Sequence, residues 1–438
     1  MCKVICPDLF SVMAAKMDRS GPLVSVVMAN RNGAAYIGLA ISAVLAQTLS
    51  DLELIVVDDA SEDNSWEIIQ GFAAQDRRVR TLRRTSVGGP AAARNDALAI
   101  ATGEWVAICD SDDSQHPSRL QLMLASALQL QADFVADDLI LFSDRPMVRG
   151  ETILGQHAPA EPRRLGVNDI VLSGVERSGL RHVGYLKPLI RRAALQKLEY
   201  DSALRVGEDY DLYLRLVLSG AKMWVLPMAA YLYRRHAGSV SYRNVPADLT
   251  AQMDALRRIA QDINAPQIDT ALRRRLRSLK RRHAQLVLAR EVRAGRWLRA
   301  VWLTLGRPDH LVWFGAVVRN RAGLRLQAIV SRFLRRPVVW HLGEGAGALP
   351  VPRRSDGSLD LSHSAAGVWS KHAAAASRRV VRLRISGTIG QSAAWMVPAA
   401  QDTVTGSTAQ DALPVVADPA LAASEAKGTS PSSKGAAQ

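Results

Sequence analysis

Apolar residues along the chain fall in short runs that break on polar or acidic residues, and these runs alternate with stretches of helical spacing. Leu23 to Ala29 is a β-branched run bounded by Gly21-Pro22 and Asn30-Arg31-Asn32-Gly33, the pattern of a buried parallel strand followed by a polar loop. From Ala35 to Gln47 the apolar positions Ile37, Ala40, Ile41, Val44 and Leu45 share one helical face, which ends at Thr48-Leu49-Ser50-Asp51. Leu52 to Val57 predicts a second strand running into Asp58-Asp59-Ala60-Ser61, with Ser61 or Asp63 capping a helix over Trp66 to Ala74. Val79 to Arg83 predicts a third strand, Ala91 to Ala101 a helix after Gly88-Gly89-Pro90, and Trp105 to Cys109 a fourth strand. This alternation predicts an α/β, doubly wound, mostly parallel sheet whose ligands sit at the carboxyl ends of the strands. Each acidic cluster of this half of the chain lies at such an end.

The fourth strand carries the sharpest signal. Glu104 to Pro117 runs from mostly apolar residues into Asp110, Asp112 and Asp113, and Pro117 stops any regular continuation. Carboxylates this close repel one another unless a cation shares the site, and a divalent ion bridging them to a diphosphate makes the clustering favourable. Taken alone, the run also reads as a solvated Asp-rich turn. The first βα turn has one glycine where a dinucleotide fingerprint needs three, and no phosphate-cradling P-loop is present. A nucleotide held by a metal at Asp112 is therefore the better expectation.

Composition adds compartment and surface. The chain has 438 residues, 48% of them hydrophobic, enough for a substantial core. Cys2, Cys6 and Cys109 make no disulfide framework, which suits a reducing cytosol. The first twenty residues lack the apolar h-region of a secretory signal, and no apolar run approaches the roughly 20 residues of a spanning helix. The net charge of +15 is local: Met253 to Arg336 holds 20 Lys and Arg against 5 Asp and Glu. Leu249 to Ala260 and Asp269 to Gly295 have helical patterns, and from Trp297 to Trp340 arginines alternate with Trp302, Trp313, Phe314 and Phe333. Arginine with interfacial aromatics predicts a segment lying on an anionic membrane surface, the alternative being a helical subdomain packed on the core. No helix-turn-helix, zinc or RNA-recognition pattern accompanies the charge, so nucleic acid is not expected as a partner. Beyond Gly343 the Ala-, Ser-, Gly-, Pro- and Thr-rich composition predicts a largely disordered tail, with Val380 to Ile385 an isolated strand. The expected divisions are residues 1–21, 22–245, 246–342 and 343–438.

Four motifs in order carry a resemblance. Val24-Ser25-Val26-Val27-Met28-Ala29-Asn30-Arg31-Asn32, the stretch from Leu54 through Val57-Asp58-Asp59-Ala60-Ser61, Gly88-Gly89-Pro90-Ala91-Ala92-Ala93-Arg94-Asn95, and Asp110-Ser111-Asp112-Asp113 resemble family 2 glycosyltransferases of the GT-A fold. Later blocks, Gly184 to Leu189, Gly207 to Arg215 and Tyr233 to Ser241, are most similar to bacterial exopolysaccharide enzymes of the succinoglycan type, which add glucose to a lipid-linked oligosaccharide. The match covers about Pro22 to Tyr242.

The resemblance implies an inverting transferase using a UDP-sugar donor, a divalent Mn or Mg ion and a lipid-linked saccharide acceptor, at the inner face of the cytoplasmic membrane. It implies that Ala29 and Asn32 hold the nucleoside, Asp59 contacts uracil, Arg94 meets the base or phosphates, and Asp110 lies near the ribose. Asp112 would ligate the metal, with His236 near the phosphates or metal and Lys187 near acceptor or diphosphate. Arg31 stands where the family commonly has Tyr. The acceptor hydroxyl attacks the anomeric carbon opposite the departing diphosphate and needs a carboxylate to take its proton. In the family this base falls at Asp209, with Glu208 as the fallback and Asp211 expected to face solvent or a structural partner. Two alternatives stay open: a non-catalytic sugar-nucleotide-binding or scaffold protein, and transfer to a lipopolysaccharide or protein-glycan acceptor.

Overall fold

The computed structural model describes residues 21–143, 152–175, 182–196, 198–236, 244–262, 266–304, 351–352, 380–386 and 392–398. Strands β1 (Val24–Asn30), β2 (Leu52–Asp58), β3 (Val79–Arg83) and β4 (Trp105–Asp110) lie in the order β3-β2-β1-β4, all parallel. Helices α1 (Ile37–Leu45), α2 (Ser65–Gln75) and α3 (Gly89–Ile100) make the crossovers. Every residue of β2 is buried, the reason it reads as a continuous apolar run. Glu53, the charged residue inside that run, accepts hydrogen bonds from Ser25 Oγ (2.6 Å), Thr102 N and Oγ1 (2.8 Å each) and Arg80 Nη1 (2.7 Å). Burial pushes this carboxyl up, and the four bonds outweigh burial and hold it below its ordinary value.

The expected cap of α2 is corrected. Asn64 occupies the cap position without a side-chain bond, while Ser61 is spent on Asp58. Asp63 still accepts from the Ser65 amide, at 3.0 Å.

Because β2 lies on one side of β1 and β4 on the other, the sheet reverses direction at β1 and opens a crevice beyond its strand ends. Asn30, Asp58 and Asp110 stand at those ends, with Asn30 in register with Asp58 and Ala29 with Asp110.

The chain continues through β5 (Ser114–Gln115), α4 (Arg119–Gln129), β6 (Phe134–Ser143), β7 (Arg163–Leu165), α5 (Val167–Val171), β8 (Leu189–Arg191), α6 (Glu208–Leu218) and β9 (Met223–Arg235). β8 pairs antiparallel with both β4 and β6, and β6 pairs parallel with β9, so the sheet is mixed past β4. β9 also pairs with β5, which ties the acidic loop after β4 to the far side of the sheet. Helix α6 begins at Glu208, so Asp209 sits within its first turn.

Helices α7 (Pro246–Asp262), α8 (Pro266–Arg293) and α9 (Trp297–Thr304) follow. Leu249, Met253, Leu256, Ile259, Leu272 and Leu279 belong to the same hydrophobic cluster as β1, β2 and β4, so the basic helices share the core of the sheet. β10 (Val351–Pro352) joins β9 antiparallel. The strand expected to stand alone at Val380 is instead half of a hairpin, β11 (Val380–Ser386) pairing antiparallel with β12 (Ser392–Pro398). Trp313, Phe314, Phe333, Trp340, Cys2, Cys6 and most of the tail lie outside the described residues. Among the described residues no helix is long and apolar enough to cross a membrane.

Candidate active site

A cavity of about 900 Å³ opens at the carboxyl ends of β1, β2 and β4, and all ten residues singled out from sequence line it. They arrive from separate elements: Ala29 and Asn32 from the end of β1, Asp59 from β2, Arg94 from α3, Asp110 and Asp112 from β4. Lys187 precedes β8, Glu208 and Asp209 open α6, and His236 follows β9.

At the ends of β1 and β2 the loops brace one another. Asp58 is fully buried and accepts from Asn30 Nδ2 (3.0 Å) and the Ser61 amide (3.1 Å), so it anchors the strand ends. Asp59 accepts from the amides of Gly88 (2.8 Å) and Gly89 (2.7 Å) and pairs with Arg84 Nε at 3.0 Å, which fixes its carboxylate against the loop before α3. Asn32 takes a left-handed backbone (φ 49°), and its Oδ1 accepts from the Glu62 amide at 2.8 Å. The exposed Arg31 reaches only Glu62, at 3.9 Å.

The centre is a buried charge knot. Arg94, 4% exposed, donates from Nη1 to Glu208 (2.8 Å) and Asp209 (3.3 Å) and from Nη2 to Asp110 (2.8 Å). Lys187, 3% exposed, meets Asp110 at 2.7 Å and Asp209 at 3.1 Å. Three carboxylates thus share two cations, and the terminal nitrogens of Arg94 are already engaged by acid rather than open to a base or phosphate. Burial works against the Lys187 charge, but Asp110 and Asp209 outweigh it and raise its pKa well above the usual value. Burial also pushes Asp110 up, yet Lys187 and Arg94 bring it down to about 2. Glu208 goes the other way: burial, then the Asp209 charge, raises its carboxyl, with Arg94 opposing. Glu208 and Asp209 stand in the first turn of α6 after Gly207 (φ 93°), where the helix dipole favours negative charge. Asp211 turns away to a structural partner, Arg215 at 2.6 Å, and lines a separate cavity of about 740 Å³.

The acidic side of the cavity is assembled by β9. Tyr231 Oη accepts from the Asp110 amide (3.0 Å), the Arg234 amide donates to Asp113 Oδ1 (2.7 Å), and Arg234 Nε donates to the Asp112 carbonyl (2.8 Å). His236 Nε2 lies 2.8 Å from Asp112 Oδ2, and its ring packs on Tyr36 with centroids 4.8 Å apart. Carboxylate oxygens of Asp110, Asp112 and Asp113 come within 4.8 Å of one another. Asp113 is 1% exposed and its Oδ2 is buried without a hydrogen-bond partner. Burial, then the charges of Asp112 and Asp110, push its carboxyl well up. An acid in that state is what a bound cation would relieve, and three oxygen donors suit Mg or Mn.

Sequence reasoning left Asp113 unassigned although it sits in the same acidic run, and it missed Tyr36, Arg234, Arg275 and Arg282 in or beside the cavity. Acid density was the available signal for Asp113; the two arginines of α8 had none beyond the density of basic residues around them.

Residues 25–180 match the family described as Glycosyl transferase family 2. The chain is 31% identical over 320 residues to the succinoglycan biosynthesis protein ExoO of Rhizobium meliloti (strain 1021), covering 72% of this chain and 88% of that one. It is 27% identical over 248 residues to the UDP-Glc:alpha-D-GlcNAc-diphosphoundecaprenol beta-1,3-glucosyltransferase WfaP of Escherichia coli, covering 54% and 86%. Among solved structures, S. aureus TarS 1-349 in complex with UDP-GlcNAc is similar with a TM-score of 0.47 and 21% identity, over 59% of this chain and 72% of that chain.

Proposed function

The chain belongs to glycosyl transferase family 2, and from that premise we propose that it transfers glucose, with inversion, from UDP-glucose to a lipid-linked saccharide in bacterial surface-polysaccharide assembly. One observation carries the reading: residues on or beside seven separate elements converge on one cavity that pairs an acidic cluster with a second, cation-held carboxylate pair on α6. The names of the relatives support the choice of substrates, since WfaP is a UDP-glucose enzyme with a diphosphoundecaprenol acceptor.

In this reading Ala29, Asn32 and Asp59 hold the nucleoside at the braced strand ends. Asp112 and Asp113, with His236 against Asp112, would hold a divalent Mn or Mg ion, for which the orphaned Asp113 Oδ2 has the right chemistry. When bound, such an ion supplies positive charge against the charge growing on the departing diphosphate. Asp209 accepts the proton of the attacking acceptor hydroxyl. Lys187 and Arg94 orient its carboxylate from two sides and offset the charge of Asp110, which both also bind.

Calorimetric titration of UDP, with and without Mn, tests the donor site. Wild-type protein is expected to bind UDP more tightly by at least tenfold in Mn, and Asp112→Ala to lose that gain. Equal affinity in all four conditions would remove the metal from the reading.

The finer placement, peripheral to the inner membrane face, is supported by α9. Trp297 (48% exposed), Leu298 (90%) and Trp302 (71%) stand out from it beside the exposed Arg296 and Arg299, an arrangement that combines shallow apolar insertion with attraction to anionic headgroups. Cosedimentation with phosphatidylglycerol vesicles is expected to drop at least fivefold in a Trp297→Ser, Trp302→Ser variant. Cosedimentation retained by the variant would assign membrane binding to another part of the chain, and none with wild type would remove the membrane placement.

A further inference from the structure

Past the charge knot the cavity continues to a wall built by α8, which contributes Arg275 and Arg282 to the lining. Seven residues apart, they fall on one face of the helix. Arg275 is 7% exposed, donates from Nη1 to the Ser173 carbonyl at 2.7 Å, and lies over the Tyr210 ring with 4.7 Å to the centroid. Its Nε is buried with no hydrogen-bond partner. Arg282 is exposed at the same wall. Among the described residues no carboxylate pairs with either one; the acids lining this cavity are engaged by Arg94, Lys187, Arg84 and, at Asp112, His236. Burial lowers the pKa of Arg275, the Tyr210 phenol partly opposes this, and the charge of Arg282 adds to it. Two arginines lining one wall without a carboxylate partner repel each other, and a phosphate suits their planar donor forks.

We infer that Arg275 and Arg282 form an anion subsite that receives the diphosphate of the lipid-linked acceptor. The inference rests on the acceptor class proposed above and adds where that acceptor is gripped. The donor diphosphate would be met by the divalent ion that Asp112 and Asp113 would hold, so a second anion site in the same cavity is assigned to the other substrate. From Arg282, α8 runs about 16 Å further to Arg293 before α9 begins. The basic tract is therefore a substrate-binding wall as well as a surface charge.

The test uses the full chain saturated with UDP and Mn. Farnesyl diphosphate, inorganic pyrophosphate and farnesol are titrated into wild type, Arg282→Gln and Arg275→Gln. Arg282 is exposed, so its variant keeps the fold even if Arg275→Gln does not. Farnesyl diphosphate is expected to bind without displacing UDP, more tightly than pyrophosphate, and at least tenfold more weakly in Arg282→Gln, while farnesol shows no difference between variants. Displacement of UDP by farnesyl diphosphate would return the anion to the donor site and overturn the proposal. Unchanged farnesyl diphosphate affinity in Arg282→Gln would overturn it too, and pyrophosphate binding as tightly as the prenyl compound would make the site one for free anion. Loss of UDP binding in wild type would instead strike the donor reading itself. Transfer to a GlcNAc-diphosphate lipid at wild-type KM in Arg282→Gln would leave the enzyme reading standing and remove the subsite.

Discussion

Asp209→Asn is expected to reduce sugar transfer by roughly 10³-fold, within the range a positioned general base supplies, and to leave UDP affinity within about twofold. The change keeps the shape of the side chain and removes its ability to take a proton. It should not disturb the donor end, because Asp59 and Asn32 are held by Gly88, Gly89, Ser61 and Glu62 rather than by α6. Arg94 and Lys187 keep Asp110 and Glu208 as partners, so the variant should fold. Steady-state kinetics with UDP-glucose beside UDP calorimetry makes the check. Near-normal turnover would exclude Asp209 as the base, and Glu208→Gln is then the next variant. Loss of UDP binding would mean that Asp209 shapes the donor site instead.

Arg94→Met is expected to cost about 3–5 kcal/mol of stability, the scale for stranding buried charge, and to lower Tm by roughly 10 °C. Asp110, Glu208 and Asp209 would then share Lys187 as the cation within their reach. The pH dependence follows from Glu208, whose carboxyl is already raised by burial and by Asp209, and which Arg94 restrains. A carboxyl raised in the folded state costs no stability below its unfolded pKa, and the cost grows as pH rises through the interval up to its folded value. Without Arg94 that interval widens. The Tm gap between variant and wild type should therefore shrink on going from pH 7.5 toward pH 4.5. Differential scanning calorimetry across that range tests it, and a gap independent of pH would show that Arg94 stabilises by packing alone.

How much was legible varied with where the information resides. β1, β2 and β4 were readable to within a residue because a strand buried on both faces is apolar along most of its length and stops where it meets a polar crevice, whereas the partly buried β3, with Arg80, Thr81 and Arg83, was placed by the alternation of elements. The start of α6 was not readable, since Gly207 and the first-turn acids Glu208 and Asp209 carry no apolar periodicity; a left-handed glycine and the helix dipole set that end. The cap of α2 was misread because Ser61, a good cap by type, is recruited by Asp58 and Asn30 across the sheet. The hairpin of Val380–Ser386 was missed because its pairing with Ser392–Pro398 is a backbone matter that residue patterning barely records.

The sequence by itself determined the alternating α/β order, the placing of acid at strand ends, and ten of the residues that line the cavity, because burial and turn chemistry act over a few neighbouring positions. Only the tertiary structure decided what each of those residues touches. His236 reaches Asp112 across 124 positions, Arg94 reaches Glu208 and Asp209 across 114 and 115, and Arg275 reaches Ser173 across 102. Such pairings follow from which elements the sheet brings together, and charge is neutralised by neighbours in space; a chain of arginines and aspartates does not say which will meet.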